Sequence, residues 1–178
     1  AQKALDAAIS VVKPELVVSE IGKVVEETIT SYGFKPIVNL TGHGLGRYSL
    51  HHGLSIPNTG LFGTGVLRND SVIAIEPFAT TGSGSVHEAT RAEIYQVVGD
   101  APVRSPTGRK ILKKADEMCG LPFSRRWLGI PKAELAIPTL LKQGNLYDYH
   151  VLSDVAGSFV AQFEHTVIVT EDEPIVTT

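Results

Sequence analysis

Three short stretches of this 178-residue chain carry side chains that can do chemistry. From Asn39 to Gly53 (NLTGHGLGRYSLHHG), His43 and His51 stand eight residues apart among four glycines. Gly42, Gly44 and Gly46 leave the backbone around His43 without Cβ atoms, so a ligand, an ion or a second strand can approach closely. The stretches Ala74 to Phe78 (AIEPF) and Gln162 to Thr166 (QFEHT) each set a carboxylate, Glu76 and Glu164, into an otherwise apolar strand. An ionised carboxylate in such surroundings is costly unless it is paired or bound to a cation. His43, Glu76 and Glu164 together form a donor set for divalent ions such as Mn, Fe, Co or Zn, since Ca and Mg favour all-oxygen shells. Two such ions could share a carboxylate. A salt bridge from Glu76 to one of the arginines is the competing reading.

The elements that must position these residues are legible as periodic patterns. Leu5, Ala8, Ile9 and Val12 recur at helical spacing, so the chain is expected to start within an amphipathic helix, as if cut there. Pro14 separates it from a second helix with the stripe Val18, Ile21, Val25, Ile29 and Tyr32, which Gly33 stops. A strand over 36–40 enters the glycine-rich segment and another over 48–51 leaves it. On that second strand His51 and His52 face opposite ways, so only one points into the site. A strand over 71–80 puts Val72, Ala74, Glu76 and Phe78 on one face. From Ser158 a further strand puts Gln162, Glu164, Thr166 and Ile168 on one face and His165 on the other.

Glu93 to Val98 reads as one more strand, after which the character changes to short helices with basic and apolar residues mixed. Ile111, Leu112, Ala115, Met118 and Cys119 share a helical face in 105–119; Leu135, Leu140 and Leu141 share one in 131–143, where Pro138 kinks or restarts the helix. The predicted division is therefore a main body of residues 1–100 and 156–178 with an inserted subdomain over 101–155.

Composition excludes several function classes. A net charge of −3 and a pI near 6.1 give no electrostatic footprint for nucleic acid. Arg125-Arg126-Trp127 is too short to change that. The single Cys119 excludes an internal disulfide framework and fits a reducing compartment. No segment approaches the roughly 20 apolar residues of a membrane span, and no charged-then-apolar leader precedes the first helix. The expectation is a soluble, cytoplasmic chain with no membrane contact. Neither glycine cluster matches GxGxxG or a P-loop, so nucleotide binding has no support.

The order His43, Glu76, Glu164, in the contexts GHGLGRYSLHHG, AIEPFATTG and AQFEHTVIV, resembles the C-terminal half of a type II methionine aminopeptidase of the archaeal kind. The resemblance covers essentially the whole chain, and the 88 residues from Glu76 to Glu164 suit the type II insertion. It implies an α+β fold, the C-terminal half of a pita-bread fold, with a small winged-helix-like subdomain inserted. It also implies two divalent metal ions (Co, Mn, Fe or Zn) held by five ligands: His43, Glu76, Glu164 and two aspartates from an N-terminal half that these residues do not contain.

By the same resemblance, His51 contacts substrate, Glu76 doubles as a proton shuttle, and Leu50 and Tyr149 line a methionine pocket. The implied activity is removal of the initiator methionine from the N-terminus of a peptide or nascent chain. The implied partner is the missing N-terminal half or a second chain that supplies it. Two rival readings remain. A non-catalytic pita-bread binding module should have lost ligands that are present here. A prolidase or aminopeptidase P would have the same metals but lack the long insertion and the Leu50-His51-His52-Gly53 context.

Overall fold

The computed structural model describes all 178 residues. In chain order its elements are α1 (Gln2–Ser10), α2 (Val18–Ser31), β1 (Lys35–Pro36), β2 (Thr41–Gly44), β3 (Ser55–Pro57), β4 (Val72–Ile75) and β5 (Phe78–Thr80). There follow β6 (His87–Val97), α3 (Pro106–Asp116), β7 (Phe123–Ser124), α4 (Ala133–Lys142), β8 (Leu146–Ser153), β9 (Val160–Gln162), β10 (His165–Ile168) and β11 (Ile175–Val176). These divide into two compact units, Ala1–His87 with Ser153–Thr178, and Glu88–Leu152. The division falls at Glu88 and Leu152 instead of near 101 and 155, because β6 pairs with β7 and β8 and so belongs with the helices that follow it.

In the first unit the α2 stripe Val18, Ile21, Val25 and Ile29 packs with Leu5, Ala8 and Val12 of the α1 region against Ile73, Ile75, Val167 and Val169. Each fully buried aliphatic side chain contributes roughly 1.5–3 kcal/mol relative to exposure. Tyr32 does not join them, because α2 ends at Ser31 and Gly33, at φ +79°, turns the chain away. The sheet beneath has the order β11-β10-β4-β2-β3, with every pairing antiparallel. A second sheet has the order β1-β5-β9.

Two strands expected to be continuous are interrupted where the chain changes sheets. β4 runs into β5 through Glu76-Pro77, and β9 into β10 through Phe163-Glu164. β4 pairs with β10 in the larger sheet, and β5 pairs with β9 in the smaller, with Phe78 opposite Gln162. Pro77 has no N–H to give to a ladder, which accounts for the first interruption. The expected strand over 48–51 is also absent. Gly46 and Ser49 exchange backbone hydrogen bonds at 3.0 Å in both directions, closing a tight turn with Tyr48 at φ +57°.

The second unit places α3 and α4 with the sheet β7-β6-β8 around a core of Tyr95, Ile111, Ala115, Phe123, Leu128 and Leu140. Ser105 caps α3 by accepting from the Gly108 amide at 3.2 Å, with Pro106 in the first helical turn. The helix stops at Asp116, so Cys119 leaves the expected apolar face and is exposed at φ +55°. In α4, Ala133, Ala136, Ile137 and Leu140 form the buried stripe, which leaves Leu135 on the opposite side, 70% exposed. Pro138 lies within the helix.

Candidate metal centre

Glu76 and Glu164 occupy the two sheet-change points just described, and the paired strands on either side bring those points together. β2 lies beside β4 with His43 opposite Ala74, which sets the imidazole next to the Glu76 end of β4. Around His43 the backbone is crowded: a Cβ on Gly42 would stand 2.2 Å from the Ala74 carbonyl oxygen, and one on Gly44 2.0 Å from that of His52. Only glycine permits strands to approach that closely on both sides of the histidine.

His43 is buried, with Nδ1 3.2 Å from the Gly44 carbonyl oxygen. A carbonyl only accepts, so Nδ1 carries a proton, and Nε2 is the nitrogen turned towards the site. Nε2 faces Glu76 Oε1 at 3.3 Å. Two acceptors this close repel unless a proton or a cation lies between them, and an ion with bonds of roughly 2.0–2.2 Å can touch both.

Gln162 Nε2 donates to Glu76 Oε2 at 3.4 Å and to Glu164 Oε2 at 3.2 Å. Burial, with the neighbouring Glu164 charge, raises the Glu76 carboxyl to about 7 against the Gln162 hydrogen bond. Two acids drawn together this way favour an arriving cation. The donor set of one imidazole and two carboxylates therefore fits a divalent ion. The fit is partial, because no three His, Cys, Asp or Glu side chains close into a ready-made ligand group.

The histidines separate. His51 is exposed and packs edge-on against the His43 ring at a centroid distance of 4.4 Å. Partial burial, and then the neighbouring His43 imidazole, lower its pKa, which favours a neutral ring. His52 lies over Gly46 and lines a cavity of about 710 Å³ with Gly44, Leu54, Arg68 and Asp70, none of which is a candidate ligand. Leu50, beside His51, is 37% exposed. Tyr149 belongs to the second unit, where its hydroxyl donates to Gln96 Oε1 at 2.7 Å and its ring packs edge-on against Tyr147. His165 Nδ1 is buried without a partner, and its ring takes no part in the Gln162 contacts. Gln162 is the residue that sequence reasoning passed over, although its place two residues before Glu164 on one strand face was the available signal.

Comparison with known proteins bears on this geometry. The pattern of metallopeptidase family M24 matches residues 1–171. The chain is 47% identical to the methionine aminopeptidases of Thermococcus onnurineus and Archaeoglobus fulgidus, covering 100% of itself and 62% and 61% of those proteins. It thus spans about three fifths of the length of the curated relatives it matches. Among solved structures it resembles the methionine aminopeptidase of Thermotoga maritima, at a TM-score of 0.59 and 26% identity over 98% of this chain and 47% of that one. A thermophilic Arx1 superposes at a TM-score of 0.77 with 21% identity, over 90% of this chain and 45% of that one, a likeness of fold alone. The fold is of the pita-bread type, with helices and sheets mixed, and the chain belongs to metallopeptidase family M24.

Proposed function

We propose that this chain supplies the His43, Glu76 and Glu164 side of a two-metal aminopeptidase site that removes the initiator methionine from peptides and nascent chains. The observation that supports the reading is the 3.3 Å approach of His43 Nε2 to Glu76, with Gln162 donating to both Glu76 and Glu164, in a chain 47% identical to methionine aminopeptidases. Bound divalent ions, Co, Mn, Fe or Zn, would supply a Lewis acid and a water acidified to roughly pKa 7. Four positive charges against two carboxylates leave the set short, so the reading assigns two further acidic ligands to polypeptide outside these residues.

Each side chain then has a defined task. His43 Nε2, Glu76 and Glu164 would hold the ions, and Gln162 keeps the two carboxylates aligned. Glu76 is also assigned the proton transfer between the attacking water and the leaving amine. His51 holds the scissile amide or donates to its oxygen as charge develops there. Leu50, beside His51, lines the methionine pocket.

The same reading puts the protein in the cytoplasm, where nascent chains are met. The structure contains no helix long and apolar enough to cross a membrane. Support for a covering polypeptide comes from β9, an edge strand whose surroundings expose Phe159, Val160 and Phe163. A cavity of about 330 Å³ nearby is lined by Ala1, Tyr32, Phe34, Ala79 and Phe163. The test is release of methionine from a Met-Ala-Ser peptide by the chain with and without an added segment equivalent to the relatives' N-terminal part. Turnover only with that segment is the expected result. Full turnover by these residues alone would overturn the incomplete-site reading, and cleavage of Ala-Pro but not Met-Ala would replace it with a prolidase.

A further inference from the structure

We propose that Asp154 is a positioning residue: its carboxylate clasps the end of β5 to the start of the β9 segment and so fixes the strand register that sets Gln162 and Glu164 opposite Glu76. The role rests on the metal-site reading above, but the clasp itself is visible in the geometry. Asp154 is 7% exposed and collects five donors. Oδ1 accepts from the Ser83 amide at 3.0 Å, the Ser83 hydroxyl, and the Val155 amide at 2.6 Å. Oδ2 accepts from the Thr80 hydroxyl at 2.7 Å and the Gly84 amide at 3.4 Å. The Thr80 oxygen in turn accepts from the Gly82 amide at 2.9 Å, so the whole turn after β5 is wound onto one carboxylate.

Within these residues a clasp is needed because β9 has little else to set its register. Val160, Ala161 and Gln162 are all exposed, and Phe159 is 80% exposed, so no buried side chain anchors the strand. Register is weakly specified where neither strand face is buried, and a slip of one residue turns every side chain to the other face. Such a slip would carry Gln162 away from Glu76 and break its contact with both carboxylates. Thr81 adds to the clasp, donating its amide to the Phe159 carbonyl at 3.1 Å and accepting the Phe159 amide on Oγ1 at 3.0 Å. Gly82 completes it, since a Cβ there would fall 2.4 Å from Asp154 Oδ2. Consistent with this, the Ser83 hydroxyl above all, with Thr80 and the backbone amides, holds the Asp154 carboxyl well below the usual carboxylate range.

The test compares the 178-residue chain with Asp154→Asn, Ser83→Ala and a core control, Val25→Ala. Asparagine keeps the shape but turns one accepting oxygen into a donor facing donors. The readouts are amide hydrogen exchange along β5 and β9, Co²⁺ affinity, and the visible spectrum of bound Co²⁺. Asp154→Asn is expected to speed exchange in those two strands selectively and to weaken Co²⁺ binding about 10- to 100-fold, the loss typical when a group behind a metal ligand is removed. The bound-Co²⁺ spectrum should change with it. Ser83→Ala, which leaves four of the donors, should move all three in the same direction by less, and it decides the matter if Asp154→Asn does not fold. Val25→Ala should lower the melting temperature alone. The proposal is overturned if the clasp variants melt early yet keep the parent's exchange, affinity and spectrum, or if Val25→Ala shifts them as much. If the parent chain alone binds no Co²⁺, exchange along β5 and β9 decides the register claim, and unchanged exchange in both clasp variants overturns it.

Discussion

The first unit buries ionisable groups, whereas the second leaves its ion pairs partly to largely exposed. Residues 1–87 and 153–178 bury His43 and Asp154 and set Glu76, more than half buried, against Glu164. Residues 88–152 leave Arg91, Glu93 and Arg125 in a solvated cluster and pair Lys114 with Glu117 on an exposed helix face. Surface pairs of that kind contribute little to stability, because water screens them. Inward-turned groups persist only when something balances them. In Asp154 the balance is complete within the chain, with five donors on one carboxylate. Around Glu76 it is not, and that deficit marks the site.

The comparison breaks first at the ligands. Glu164→Gln or His43→Ala should lower Mn²⁺ or Co²⁺ affinity by at least about 100-fold, beyond what loss of a supporting group costs; calorimetric titration checks this, and affinity near the parent's would show that the residue is no ligand. Next, in an assembly that turns over peptide, His51→Ala should reduce kcat by about 10² with metal content unchanged. His52→Ala should do much less. Equal losses, or metal lost with His51, would mean that the roles are reversed.

A subtler effect is the pH dependence of the metal-free protein. Glu76, raised from 4.5 to about 7, favours the folded state most below its unfolded value, and that contribution is lost as pH rises through about 7. Asp154 has the opposite sign. Its depressed value gives stability that is present above the ordinary 3.8 and lost only as the pH falls through the folded value. Thermal melts against pH should therefore lose their neutral-side decline in Glu76→Gln and their acid-side decline in Asp154→Asn. At the small end, Lys114→Ala on α3 should leave the melting temperature unchanged, since it and its partner Glu117 are both exposed to water.

Much of this was legible in the residues. Val18, Ile21, Val25 and Ile29 announced α2 because a helix face repeats locally, and His43, Glu76 and Glu164 stood out as polar groups where apolar ones were due. What escaped was non-local. Asp154 meets Thr80 and Ser83 across 74 and 71 residues, and nothing near it in sequence marks it as a clasp. The expected continuous strand over 71–80 failed at Pro77, a signal that was present but outweighed by the alternation on either side. The leucine spacing pointed to Leu135 as buried, but alanines fill the close-packed side, so the stripe is Ala133, Ala136, Ile137 and Leu140.

The most direct test of the central claim is an anomalous difference map from crystals of the chain loaded with Co²⁺. One peak within roughly 2.0–2.2 Å of His43 Nε2 and of an oxygen from each of Glu76 and Glu164 is the predicted result. Cobalt bound elsewhere, with no peak between His43 Nε2 and Glu76 Oε1, would contradict it.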